Sequence, residues 1–467
     1  MCRARFASPS LVLLLTLTCG FAAGQDLGAR RYDLGKRLIR FERALAAAHP
    51  TATGRERAIA AMERAVRSFF GLDLAAAARA IDDGTAALVS EAAEAEPARA
   101  LWSIAPLLGS RVVEPGARVR LTLAGTTSAT FPLEVTVAAG ERRESHRFAA
   151  PADGEASVSC EFTAPDDEGD HAVLVELACG TARASYPEQI LSVVREAGAR
   201  SEGLSRRLVD LPREPALERS TLEFLLRQAR PVLDGRTLET DLRVGALLKR
   251  AESLALSIAS GSQRIGPTDP GDHLLRVPLG SRGVVVRILV PPTLPVAGER
   301  RLVLALHGAG GSENLFFDGY GFGLAVRRSA EQSTVFVAPR NVSAGDVAPL
   351  LDILADRFGV ERGAVDVVGH SMGAATALAA AQRSPGHFRR IALVGGGGRV
   401  TDPSALLTIP CLLVTGGRDF ARGQVLASYR ALRAAEHPAV ELIEFPWVEH
   451  MLVVQVGLPD VFAFFGR

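Results

Sequence analysis

A serine set between two glycines is the most chemically pointed feature of this chain. Residues 365–373 read Val-Asp-Val-Val-Gly-His-Ser-Met-Gly, and an alanine-rich stretch follows. The apolar run predicts a strand and the alanine-rich stretch a helix, so Ser371 falls on the turn between them. Side chains at Gly369 and Gly373 would clash in such a turn, which lifts the hydroxyl above the sheet edge. A serine hydroxyl is a poor nucleophile unless a base takes its proton and an acid orients that base. His450 follows the predicted strand Val440–Phe445, and Asp419 follows the predicted strand Cys411–Thr415. Ser371, Asp419 and His450 are therefore the expected nucleophile, orienting acid and base. Asp402, just past the preceding strand, is the rival acid. The plain alternatives are an N-cap role for Asp419, before a helix starting near Ala421, and a surface turn for His450.

Acyl transfer also needs hydrogen-bond donors for the oxygen that gains charge. Leu306-His-Gly-Ala-Gly-Gly311 follows an early strand and is small enough for backbone N–H groups to approach a substrate. The amides of Ala309 or Gly310, with that of Met372 at the helix start, are the expected oxyanion donors. His307 is expected to brace this loop rather than act as a second base. Four aromatics follow, Phe316, Phe317, Tyr320 and Phe322, and Trp447 lies near His450. Phe316, Phe317 and Trp447 are candidate walls of an acyl or aryl pocket, with core packing as the plain alternative. The stretch Gly395–Pro410 is too short for a cap domain. The site should be open unless the N-terminal region covers it. No cysteine–histidine cluster has metal-ligand spacing, and the chemistry requires no metal or cofactor.

The elements needed to position these residues are legible as eight short apolar runs. They are His273–Pro278, Val284–Val290, Leu302–Leu306, Thr334–Ala338, Val365–Gly369, Ile391–Val394, Cys411–Thr415 and Val440–Phe445. Helical patterns lie between most of the later ones, which predicts an α/β class with a mainly parallel sheet buried on both faces. Upstream, helices are expected in 25–104, where Leu34, Leu38, Phe41 and Leu45 share one helical face. Residues 105–195 alternate with period two, as in Val119, Leu121 and Leu123, and predict a small immunoglobulin-like β-sandwich. Helical patterning returns in 196–260. Residues 261–271, rich in Gly, Pro, Ser and Asp, are expected to be a linker to a separate domain at 272–467.

With these motifs in hand, the segment from about Asp272 to Arg467 resembles the α/β-hydrolase superfamily. The likeness rests on His307-Gly-Ala-Gly-Gly311, Gly369-His-Ser-Met-Gly373, Gly416-Gly-Arg-Asp419 and Val448-Glu-His450, in the order Ser, Asp, His. It is nearest to secreted bacterial esterases around the polyhydroxybutyrate depolymerases, feruloyl esterases and prolyl-oligopeptidase-related hydrolases. Ala374 departs from it, since many relatives carry a further glycine there. The resemblance implies a carboxylic-ester hydrolase working through an acyl-enzyme on a small or polymeric ester. A serine peptidase of the same fold and a non-catalytic cell-envelope scaffold are the alternatives.

Composition narrows the setting. With 53 basic and 52 acidic residues, the chain lacks the charge excess of a nucleic-acid binder. Arg3 and Arg5, the apolar run Leu11–Leu17 and the small residues Ala22-Ala23-Gly24 read as a signal peptide over residues 1–24, so the protein is expected to be exported. No other segment is long and apolar enough to span a membrane. In an oxidising compartment Cys160 and Cys179 would be able to pair, as both lie in apparently neighbouring strands; Cys411 is expected to be a buried thiol.

Overall fold

The computed structural model describes residues 21–48, 50–89, 100–125, 132–149 and 157–467. Most of the expected signal segment lies outside them. Among the described residues, the C-terminal part is built on one eight-stranded sheet. Its strands are β10 (Gly271–Leu279), β11 (Arg282–Val290), β12 (Leu302–Leu306), β13 (Val335–Pro339), β14 (Val365–His370), β15 (Phe388–Val394), β16 (Cys411–Gly416) and β17 (Val440–Phe445). Their order is 10-11-13-12-14-15-16-17. The first two pairings, β10–β11 and β11–β13, are antiparallel and the rest parallel. Each predicted strand is present with ends shifted by at most a few residues. The strand that leads to Ser371, β14, lies between β12 and β15 in the middle of the sheet.

Both faces of this sheet are buried, as continuous apolar strands require. Along β12, Leu302, Leu304 and Leu306 face one core, and Val303 and Ala305 the other. The first core receives helices Ala216–Leu233 and Val244–Ala259 through Leu222, Leu225, Leu248, Leu254 and Ile258. The second receives α1 (Phe21–Ala47), α2 (Ala52–Phe70) and α3 (Leu74–Val89) through Phe41, Ile59, Met62 and Ile81, beside the C-terminal helix Leu452–Gly466.

The segment expected to be a linker is held by the helices that precede it. Residues 261–271 are pinned in place. The fully buried Glu218 accepts the N–H groups of Arg264 and Ile265 (3.0 and 3.1 Å) and pairs with Arg357 (3.1 Å). Asp269 is buried with Arg250. Glycine, proline and serine mark a turn, but they do not reveal that a carboxylate from an upstream helix fastens it.

Residues 104–193 form two sheets facing one core. A three-stranded sheet, in the order Ile104–Leu108, Arg118–Gly125, Ser157–Thr163, packs on a larger one in the order Val112–Val113, Gln189–Val193, Gly169–Cys179, Leu133–Ala139, Arg142–Phe148, with Ala182–Ser185 beside Gly169–Cys179. Val119, Leu121 and Leu123 of β3 (Arg118–Gly125) meet Val135 and Val137 of β4 (Leu133–Ala139) and Val173, Val175 and Leu177 of β7 (Gly169–Cys179). Cys160 lies on β6 (Ser157–Thr163), in the other sheet from Cys179 at the end of β7, and both thiols are free. Alternation predicts strands but not which sheet each joins, and this corrects the suggested pairing. Burial pushes the Cys411 thiol up to about 12.

Candidate active site

Ser371 occupies a turn that only its surroundings make tolerable. It joins β14 directly to helix Met372–Arg383 at φ 55° and ψ −116°, a conformation costly for a non-glycine residue. A Cβ on Gly373 would stand 2.0 Å from the Leu306 carbonyl oxygen, and one on Gly369 would stand 2.3 Å from that of Gly373. The two glycines therefore let the helix start press against β12, and the serine hydroxyl is left at the open end of the sheet.

The structure brings the three sequence-predicted residues together. His450 Nε2 lies 3.0 Å from Ser371 Oγ, and His450 Nδ1 lies 2.7 Å from Asp419 Oδ1. With Nδ1–H donated to the carboxylate, Nε2 is left as the acceptor for the serine proton. Asp419 Oδ1 also accepts the N–H of Ala421 (2.8 Å), so the carboxylate shapes its own turn as well as holding the imidazole. Asp402 is exposed, and its carboxylate accepts the Ser404 hydroxyl (2.5 Å) and the Ala405 N–H (3.3 Å).

Supporting residues outside the motif reading fix His450 in place. The Tyr320 hydroxyl donates to His370 Nδ1 (2.6 Å), and His370 Nε2–H donates to the His450 carbonyl (3.1 Å). Burial, with His450 nearby, holds the His370 imidazole well below its usual range, so it stays neutral and keeps one donor and one acceptor. Phe420 lies on the His450 ring with centroids 4.0 Å apart, yet remains 66% exposed. The buried Glu449 carboxylate accepts the N–H groups of Met451 and Leu452 (3.0 and 2.8 Å) and so caps the helix after the histidine. Burial pushes its carboxyl up to about 7. Nothing in the local pattern announces His370 or Phe420 beyond their adjacency to Ser371 and Asp419.

Ala309 and Gly310 line a cavity of about 410 Å³ together with Ser371, His370 and His450. Gly310 needs its left-handed φ of 74°. Met372 opens the following helix, where the first backbone N–H groups have no partner within the helix. His307 is buried, which lowers its pKa; Nδ1–H donates to the Gly308 carbonyl (2.8 Å) and Nε2 accepts the Asn341 N–H (3.3 Å). That is a bracing geometry.

The opposite wall of the cavity was missed by motif reading. It comes from α1 and α2, through Leu38, Met62, Ala65, Val66, Phe69 and Phe70. The site is therefore roofed by the N-terminal helices. Among the three proposed wall residues, only Phe317 lines the cavity. Phe316 is fully buried against Tyr320 and Phe336 (centroids 4.8 and 6.3 Å), and Phe317 packs on Phe336 as well (5.4 Å). Trp447 is turned to α2, where the Arg55 guanidinium lies over its ring at 5.5 Å. Among the described residues, no group of three or more histidine, cysteine or carboxylate side chains converges as a metal-ligand set.

Residues 347–406, which span the serine turn, match the Esterase family, described as "Putative esterase". No curated protein matches the chain. Among solved structures, an S-formylglutathione hydrolase from Staphylococcus aureus is 14% identical, with TM-score 0.36, covering 42% of this chain and 99% of its own. A feruloyl esterase module from Clostridium thermocellum is 12% identical, with TM-score 0.36, covering 44% and 92%. A fluorophosphonate-binding serine hydrolase from Staphylococcus aureus is 15% identical, with TM-score 0.36, covering 42% and 99%. The mostly parallel sheet, the serine turn at its middle and the esterase-family match across that turn give the C-terminal part of this chain the equipment of a serine hydrolase.

Proposed function

We propose that this protein is an exported carboxylic-ester hydrolase acting through Ser371, His450 and Asp419. The observation that carries the reading is the unbroken hydrogen-bonded line from Ser371 Oγ through His450 to Asp419, beginning at a strained turn. Ser371 attacks the ester carbonyl while His450 Nε2 takes its proton. The N–H groups of Ala309, Gly310 and Met372 stabilise the tetrahedral oxyanion. His450 returns the proton to the leaving alkoxide, and the acyl group stays on Ser371. Water, deprotonated by His450, then releases the acid and restores the serine. The cavity under α1 and α2 suits a compact, largely apolar acyl group, from a small ester or the end of a polymer. The basic residues and apolar run at the start of the chain support export.

The test is covalent labelling by a fluorophosphonate together with turnover of p-nitrophenyl butyrate. Ser371→Ala is expected to abolish labelling and to lower turnover by roughly 10³-fold or more. Asp419→Asn is expected to cost far more activity than Asp402→Asn, because only the former holds the imidazole. Full labelling of Ser371→Ala, or a larger loss at Asp402, would overturn the assignments.

A further inference from the structure

The oxyanion loop, the Tyr320 run, the loop of Asp419 and the helix after His450 are each tied to the N-terminal helices. Arg31 of α1 donates from Nη2 to the Gly310 carbonyl at 2.5 Å. Phe69 of α2 covers the same glycine so closely that a Cβ there would meet its ring at 3.0 Å. Glu42 of α1 is buried and accepts the N–H groups of Gly321 and Phe322 (3.0 and 3.2 Å). Those residues belong to a run, Tyr320 to Gly323, that lies wholly at positive φ. Such a run persists only where its surroundings hold it, and it carries the tyrosine that binds His370. On the acid side, Arg418 pairs with Glu63 (2.7 Å) and with Glu56 of α2, next to Asp419. The helix that follows His450 is reached as well, since Gln455 donates to the Glu42 carbonyl (3.1 Å).

From this convergence we infer that the N-terminal helices are part of the catalytic apparatus, with Arg31 as the positioning residue of the oxyanion loop. The inference rests on the esterase reading above. An oxyanion hole works only if its N–H groups are fixed before charge develops on the substrate. Residues Gly308 to Gly311 have almost no side chains with which to fix themselves. The Gly308 carbonyl is engaged by the Gly311 N–H (3.1 Å) and by His307; the Gly310 carbonyl is engaged by Arg31. With both carbonyls bound, the amides of Ala309 and Gly310 remain for the cavity these residues line. Arg31 is itself anchored from the other side. It pairs with Glu239 (3.3 Å), which also binds Arg340 (2.5 Å). The guanidinium thus bridges α1 to the hydrolase body at the point where the loop must be stiff.

The test uses the full chain with Arg31→Met and Arg31→Lys. For Arg31→Met, kcat for p-nitrophenyl butyrate and the rate of fluorophosphonate labelling should fall together by roughly 10-fold or more, with KM within about twofold of wild type. Arg31→Lys, which keeps a charged donor, should restore most of both rates. If Arg31→Met does not fold, Arg31→Gln carries the test, with an intermediate loss of kcat and an unchanged KM. Unimpaired kcat in an active protein would overturn this role alone. A raised KM with kcat preserved would also overturn it, making Arg31 a substrate contact. Wild-type protein that neither hydrolyses esters nor labels would overturn the esterase reading and this role with it.

Discussion

The helices at residues 21–89 and the strands at 104–193 are neighbours in the chain, but the catalytic sheet treats them differently. The helices have no core of their own. Phe41, Ile59 and Met62 share one with Val303, Phe336 and Phe465, and the same helices roof the cavity. The strands fill a core from their own residues, Leu121, Val135, Val175 and Phe162 among them. Among the described residues of that region, only Pro187, Glu188 and Ile190 reach the cavity wall. Nearness in sequence therefore says little about nearness to the chemistry. What separates the two regions is whether an element can bury its apolar face without help. In this chain the two-sheet stack does, and the three helices bury theirs against the sheet instead.

The most damaging way to challenge that contrast is to remove everything before Gly266. Such a chain would uncover the face of the sheet that helices 216–233 and 244–259 protect, and also the face under α1 to α3. Each large apolar side chain left in water costs about 1.5–3 kcal/mol. A handful of them is comparable to the roughly 5–15 kcal/mol typical of a whole domain. The truncated chain is expected to be insoluble or inactive across start points from 261 to 272, assayed by soluble yield and p-nitrophenyl butyrate turnover. Soluble, active protein would restore the modular picture.

A finer test matches two core truncations. Phe41→Ala, in the core shared with the sheet, and Leu121→Ala, in the sandwich, both remove a fully buried side chain. Each should cost about 2–5 kcal/mol on denaturant unfolding. Phe41→Ala should also lower kcat several-fold, because its core includes Tyr320 and the helix after His450, whereas Leu121→Ala should leave kcat within about twofold. Equal kinetic losses would erase the distinction between the regions.

A further expected effect is one of pH. Burial pushes both Glu42 and Glu449 from 4.5 up to about 7. Between those values the folded protein holds protons that the unfolded chain has released. Their stabilising contribution is full below the ordinary carboxylate range and is lost as pH rises through about 7. A gap of this size corresponds to about 3 kcal/mol per group. Melting temperature should therefore fall from pH 5 to pH 8, and Glu42→Gln, which keeps an acceptor for Gly321 and Phe322, should flatten roughly half of that fall. An unchanged slope would mean that Glu42 is not tied as described.

Much of the sheet was legible because its code is local. Eight short apolar runs between helical patterns predict parallel strands, and Gly369, Ser371 and Gly373 are explained by one turn too tight for Cβ atoms. Ser371, Asp419 and His450 were readable because each follows a strand end, and in a parallel sheet those ends share one edge. Phe316 and Phe317 show where that reading stops. They are adjacent aromatics in the same motif and both pack on Phe336, yet only Phe317 also lines the cavity, a difference that their order along the chain does not state.

The sequence by itself determined the class of sheet, the serine turn and the residue types that meet there, since those depend on period, on turn sterics and on order along the chain. Only the tertiary structure decided that residues 261–271 are fastened by Glu218, that Cys160 and Cys179 lie on different sheets, and that α1 and α2 close the site through Arg31, Glu42 and Phe69. The reason is that an amphipathic pattern states which face of an element must be buried and leaves open what will cover it. That partner lies 46 residues away for Glu218 and Arg264 and 279 for Arg31 and Gly310, and it is selected by packing and buried charge pairing rather than by any local signal.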